Sequence, residues 1–283
     1  MSRPTWLGLH SKLSAIYDID CPNCGNVNLA AVVPVDASLF DAAVKRLFEV
    51  GGYTAALLTD GAVVPLMDSI KASLASTLTG IETRVPEAML NKLREDLFVF
   101  SGCKTVAELR EASSLLIDEN GLIRSWNSFK SEMTKLNQLY NKTYLEAEYN
   151  FATQSANMAS RWEADAKDGD NYNLQYRTAQ DDRVRDEHAA LAGITLPFSD
   201  EFWGQYYPPN GWRCRCTAVQ VLRDKHPESS KKESIALGEK ATTQIDKQGR
   251  NSLEMFRFNP GKQEVIFPQS HPYYKLKGDL NSE

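Results

Sequence analysis

Tyr176-Arg177-Thr178, Asp182-Arg183-Val184-Arg185-Asp186-Glu187-His188, Glu201-Phe202-Trp203 and Pro208-Pro209-Asn210-Gly211-Trp212-Arg213-Cys214-Arg215-Cys216 follow one another within residues 176–216. Read in order, they give the C-terminal part of the chain a strand, a polar helix, a rigid bend and a cysteine-bearing ribbon. The segment from Leu174 to Thr178 has the pattern of a strand. Asp181 or Asp182 is placed to cap a helix running to about Leu191, because a short acidic side chain accepts from the first free N–H groups. On such a helix Asp181, Arg185 and His188 share one face, and Arg183 and Glu187 an adjoining one. Two prolines lock φ and Asn-Gly supplies positive φ, so Pro208, Pro209, Asn210 and Gly211 are expected to form a stiff structural turn. If the chain leaves that turn as a strand, Trp212, Cys214, Cys216 and Ala218 point one way and Arg213 and Arg215 the other.

Two cysteines two apart on a strand have Cα atoms ~6.6 Å apart with parallel Cβ vectors, which strains a bridge between them. The thiols then either pack as small hydrophobes or join a histidine in a metal site. His188 is the natural third ligand. A fourth group has one remote candidate: Cys21-Pro22-Asn23-Cys24-Gly25 is a CxxC on a knuckle-like turn, the usual half of a zinc site. Cys21 and Cys24 with Cys214 and Cys216 would make a four-cysteine site joining the two halves. The metal candidates are therefore Cys214, Cys216, His188, Cys21 and Cys24, and zinc is the cofactor they would suit. Cys103 is expected to be buried alone.

The 283 residues are 42% hydrophobic and 24% charged with a net charge of −5. That is enough apolar material for a core without staples, and it gives no global basic field for nucleic acid. No apolar run approaches the ~20 residues that span a bilayer. The segment Met1–Trp6 lacks the apolar core of a secretory signal, so a cytoplasm-like compartment with reduced thiols is expected. Along the chain, Val27–Val33 reads as a strand ended by Pro34. Asp36 can cap a helix carrying Phe40, Ala43, Val44, Leu47 and Phe48, stopped by Gly51-Gly52. A second amphipathic run spans about 63–78. Pro86 suits the first turn of a helix through Leu97, and Thr105-Val106-Ala107-Glu108 has the capping-box pattern of a new helix start. A long helix is expected from about Ser125 to Ala164, either broken once or protruding to meet a partner, with its apolar stripe otherwise core. Asp165–Asn173 reads as a loop and Glu228–Glu239 as a helix. Short strands and turns are expected over the last forty residues, with Asn259-Pro260-Gly261 a turn before Val265-Ile266-Phe267. The fold class is α+β. A mostly helical N-terminal domain (1–120) and a long connecting helix (121–165) precede a small mixed α/β C-terminal domain with an extension (166–283).

Taken together, Tyr-Arg-Thr, Asp-x-Arg-Val-Arg-x-x-His, Phe-Trp and Pro-Pro-Asn-Gly-Trp-x-Cys-x-Cys resemble the MuF domain of phage minor head proteins, and Asn259-Pro260-Gly261 is also similar to family members. The resemblance is strong from about 140 to 222 and fair to about 275; the first 120 residues carry no general family feature. The matching positions are Arg183, Arg185, His188, Trp203, Pro209, Asn210, Gly211, Cys214 and Cys216. The resemblance implies a structural minor head (head morphogenesis) protein of a tailed phage or prophage. Such proteins associate with the portal protein and other head proteins and act in capsid assembly and in DNA packaging or delivery. The implied location is the virion, inside or at the portal vertex of the capsid, with the bacterial host cytoplasm during assembly and no membrane partner.

Two alternatives accompany that reading. Arg177, Arg183, Arg185, Arg213, Arg215 and Arg223 concentrate basic charge on an acidic chain. Arg183, Arg185, Arg213 and Arg215 are thus candidates for contact with a partner or with packaged DNA, as in a DNA-binding internal virion protein. The competing reading pairs them with Asp181, Asp182, Asp186, Glu187, Asp200 and Glu201. A toxin-like or hydrolytic enzyme would need a base within reach of a positioned partner, and neighbours on a helix point apart. With no Walker loop, Gly-x-Ser-x-Gly or His-Glu-x-x-His in the sequence, no catalytic residue is expected and the chain is read as a non-enzyme.

Overall fold

The computed structural model describes residues 6–17 and 32–280, with side chains from residue 11 onward. The N-terminal half is helical: α1 (Trp6–Tyr17), α2 (Ala37–Val50), α3 (Val64–Ala75) and α4 (Glu87–Ser114). Asp36 caps α2 by accepting from the Ser38 N–H at 2.9 Å, and Gly51, at φ 81°, closes it with its N–H on the Leu47 and Phe48 carbonyls. The face bearing Phe40, Ala43, Val44 and Leu47 is buried, as the spacing predicts. Of the strand expected over Val27–Val33, residues 27–31 lie outside the described residues, and Val32 and Val33 are not in a strand.

Helix α4 departs from the expectation. It neither stops at Leu97 nor restarts at Thr105, but runs 28 residues without a break. Residues 100–109 are buried on every side, so packing holds the helix through the capping-box sequence. Thr105 returns its hydroxyl to the Ser101 carbonyl at 3.0 Å, and Glu108 accepts from Asn141 Nδ2 at 2.6 Å. Neither serves an N-terminus.

The long helix is almost continuous. α5 (Trp126–Gln138) passes through a wider π-helical segment, Leu139–Tyr144, into α6 (Leu145–Asp165). It does not stand off from the body: Phe129, Met133, Leu136, Tyr140, Tyr144 and Phe151 are all core. The π segment has a visible cause, since the Tyr140 carbonyl accepts from the buried Lys104 ammonium at 2.9 Å.

The remainder carries β1 (Asn173–Arg177), α7 (Asp186–Ala189), β2 (Thr195–Pro197), α8 (Phe202–Gln205), β3 (Thr217–Val221), α9 (Lys231–Ala241), α10 (Pro260–Gln263) and α11 (Lys277–Leu280). The three strands form one antiparallel sheet in the order β2-β1-β3, with Leu174 opposite Leu196 on one side and Tyr176 opposite Ala218 on the other. The architecture is α+β.

Among the described residues of the last forty, the expected strands do not form, and an isolated bridge joins Ile245 to Asn251. Asp96 on α4 supplies the reason. Its carboxylate accepts from the Ile266 N–H (2.9 Å), the Phe267 N–H (3.0 Å), Gln269 Nε2 (2.7 Å) and the Tyr274 hydroxyl (2.5 Å). Backbone donors that a ladder would use are taken by one buried acid, and the tail lies along α4 instead. Two apolar cores result. The larger joins the helical half, the long helix and the tail from Leu253 to Leu276. The smaller lies around the sheet and holds Met158, Tyr176, Leu196, Phe202, Trp203, Tyr207, Cys214 and Cys216.

Candidate metal centre beside the diproline bend

β1 places Tyr176 in the small core, and Tyr176 fixes the bend. Its hydroxyl donates to Asn210 Oδ1 at 2.9 Å, while Asn210 Nδ2 donates to the Tyr207 carbonyl at 3.4 Å. Pro208 to Gly211 are all buried, and the Pro208–Pro209 peptide is cis. The expected positive φ at Asn-Gly is not there. The left-handed residue is Arg213, at φ 57°. Gly211 is small for a different reason: a Cβ on it would lie 2.8 Å from an Arg185 guanidinium nitrogen. That guanidinium donates to the Trp212 carbonyl at 2.6 Å and so clasps the outgoing chain.

The ribbon is not a strand where the cysteines sit. Cys214 N–H bonds back to the Gly211 carbonyl at 3.2 Å, and β3 begins only at Thr217. Alternation along a strand therefore does not orient these side chains; the turn does. Trp212 enters the larger core, stacked on Tyr17 at 4.9 Å and edge-on to Phe151 and Phe256 at 5.0 and 5.2 Å. Cys214 and Cys216 enter the smaller one. α6 holds the ribbon from beneath, with Gln154 Nε2 donating to the Cys216 carbonyl at 2.8 Å and Arg161 to the Ala218 carbonyl at 3.1 Å.

The polar helix is shorter than its sequence suggests. α7 starts at Asp186, so Asp181, Arg183 and Arg185 precede it and share no helical face with His188. Asp181 turns away from the expected cap. It accepts from both Arg215 guanidinium nitrogens at 2.6 Å each, and from the Arg183 N–H at 3.2 Å and its guanidinium at 3.3 Å. The Arg215 fork beside it holds its carboxyl well below the usual carboxylate range. Arg223 pairs with Glu228 and with the Asp170 carbonyl. Arg213 makes no hydrogen bond or ion pair among the described residues.

His188 closes the arrangement. It is 3% exposed, with Cys214 at 5% and Cys216 at 3%. Its Nδ1 lies 3.6 Å from Cys214 Sγ and 3.7 Å from Cys216 Sγ, and the three donor atoms fall within 4.8 Å of one another. Nε2 is buried without a hydrogen-bond partner among the described residues. The Cys214 thiol is pushed well down by the hydrogen bond from Cys216, helped by the charges of His188 and Arg185, while Cys216 is pushed up by its neighbour and by burial. One thiolate is thus favoured over two while the pair stands alone. Cys103 is buried elsewhere, on α4. Cys21 and Cys24 lie outside the described residues.

Three contributors to this framework were not singled out in the sequence as site residues: Asp181 as the arginine clamp, Tyr176 as the partner of Asn210, and Asn259. Asn259 accepts from the Gly261 and Lys262 N–H groups at 2.9 Å, capping α10 with Pro260 in its first turn, and donates to the Trp203 carbonyl at 2.9 Å. Asn-Pro-Gly is a helix start as much as a turn, which was the legible signal.

The fold and site define an α+β protein in which a small sheet unit, with buried thiols and an imidazole, is built onto the end of a long helix. Residues 124–219, from just before that helix to the middle of β3, match the family described as Phage Mu protein F like protein. A protein of Escherichia phage Mu described as "Putative capsid assembly protein F" is 42% identical over 69 residues, which is 24% of this chain and 16% of that relative. The match thus covers a small part of the Mu protein's length. No solved structure matches.

Proposed function

We propose that this chain is a structural minor head protein of a tailed phage or prophage, acting in capsid assembly. The observation that carries the reading is the family match over 124–219. It coincides with one physical unit: the long helix, the sheet and the diproline bend that ties the two cores together. Association with the portal protein, a place inside or at the portal vertex of the capsid, and a part in DNA packaging or delivery follow as the finer form of the proposal. The placement of the arginines favours packing over packaged DNA as their main role, because Arg183 and Arg215 meet on Asp181, Arg185 clasps the bend and Arg223 pairs with Glu228. The reading is structural, and no catalytic group is assigned.

The test is co-assembly. The chain is expressed with the portal and capsid proteins of its own phage, and particles are separated by sedimentation. Co-migration with portal-containing proheads, lost when the portal gene is omitted, is the expected result. A chain that stays at the top of the gradient in both cases removes the portal reading, and its absence from purified virions removes the head-protein reading as well.

A further inference from the structure

We propose that His188 Nδ1 and the Sγ atoms of Cys214 and Cys216 hold one zinc ion, with water as its fourth ligand. The geometry of the three donors carries this. Zinc bound at about 2.3 Å to sulfur and about 2.0 Å to nitrogen in a tetrahedron sets each sulfur–nitrogen edge near ~3.6 Å. The two edges measured here are 3.6 and 3.7 Å. Both sulfurs lie at nearly the same distance from one ring nitrogen, as a shared central ion would set them. The approach also comes from independent parts of the chain, α7 on one side and the turn after Gly211 on the other.

The donor set selects the metal class. Two thiolates and an imidazole suit a borderline-soft ion such as zinc and disfavour magnesium or calcium, which take oxygen ligands. Charge points the same way. Two thiolates and a divalent cation sum to zero, so the set can be buried at 3–5% exposure without an unpaired charge. Beside the donors opens a pocket of about 10 Å³ whose lining includes His188, both cysteines and the four arginines Arg183, Arg185, Arg213 and Arg215. That is room on the order of one water, which supplies the fourth ligand a three-residue set lacks. No further histidine, cysteine or carboxylate among the described residues joins the cluster. The ion would pin the 181–188 segment to the ribbon and so stiffen the small unit. The inference is independent of the assembly role.

The test starts with full-length chain purified without chelator from zinc-supplemented cells. Elemental analysis should find close to one zinc per chain. After the metal is stripped, cobalt should bind with a thiolate-to-cobalt charge-transfer band and the visible bands of tetrahedral geometry. Zinc-edge X-ray absorption on the unaltered protein should report two sulfur and two nitrogen or oxygen ligands, a readout that needs no variant to fold. Cys214→Ser/Cys216→Ser and His188→Ala should lose the metal, and Cys21→Ser/Cys24→Ser should keep it. A metal-free protein that also fails to take up cobalt overturns the proposal. So does a four-sulfur shell, loss of zinc in Cys21→Ser/Cys24→Ser, or full zinc content in Cys214→Ser/Cys216→Ser.

Discussion

Lys104 with Glu148 in the helical core, and His188 with Cys214 and Cys216 in the small unit, are both closed off from water, yet their partners come from different places. The ammonium of Lys104 lies 3.0 Å from Glu148 and donates to the Tyr140 carbonyl at 2.9 Å. It also lies against the faces of Tyr140, Tyr144 and Tyr273, at 5.2, 5.9 and 5.6 Å. Glu148 also accepts from the Tyr17 hydroxyl at 2.6 Å. Nearby His271 is pushed down to about 3 by burial and by Lys104, so it stays neutral. Cation and anion are thus both side chains of this protein. In the small unit the soft donors converge beside the Arg185 guanidinium, which clasps the bend and makes no ion pair with them. The first cluster carries both charges on the protein's own side chains, whereas the second would gain its balancing cation from the zinc proposed above.

The comparison is broken most forcefully at Lys104. Lys104→Met leaves Glu148 buried without its cation, which costs about 3–5 kcal/mol when one partner of such a pair is removed. The double variant Lys104→Met/Glu148→Leu should recover most of that, because the unpaired charge is gone. Denaturant midpoints with unchanged slopes measure both. A single variant as stable as wild type would mean that the pair is spectator to the core. The next effect is at the junction. Trp212→Ala withdraws the indole that the ribbon lends to the larger core, a loss of about 3 kcal/mol for a buried aromatic. Since the cysteines two and four residues on belong to the other core, the small unit should also open separately, seen as amide exchange over β1–β3 faster than over α4. Equal acceleration in both regions would show that Trp212 does not couple them.

What the sequence revealed of these regions follows from the range of the interactions. The helices of the first half were legible because their signals are local: the Asp36 cap, the Gly51 stop and the apolar stripe of α2 all act within a few residues. The pairing of His188 with the two thiols was legible as a juxtaposition, but for an inaccurate reason. Strand alternation was expected to orient the cysteines, whereas the left-handed Arg213 does so. The length of α4 was hidden because its capping-box residues are buried on every side, a tertiary effect that outweighs the local signal. The fate of the tail was equally hidden: nothing in Val265-Ile266-Phe267 announces that Asp96, 170 and 171 residues earlier than two of them, will take their N–H groups. Asp181 was read as a helix cap because acids often are; its arginine partner lies 34 residues on.

The smallest effect sharpens the comparison through pH. Glu108 lies in the helical core, accepting from Asn141, and burial raises its carboxyl from an ordinary 4.5 to about 8 despite the opposing influence of Lys104 and Asn141. A carboxyl that holds its proton more tightly folded than unfolded stabilises the fold fully below pH 4.5. That stabilisation is lost as the pH rises toward about 8, with a slope no steeper than roughly 1.4 kcal/mol per pH unit. Glu108→Gln keeps the side-chain shape and the acceptor for Asn141 but cannot ionise. Its stability should fall less steeply than wild type across that window, and the two curves should cross so that the variant is the more stable at the alkaline end. Asp165, itself raised to about 6 by burial, remains in both proteins and cancels from the difference. Parallel curves would remove Glu108 as the titrating group. They would also blur the contrast between the clusters, because the helical core would then be indifferent to the proton that its burial makes it keep.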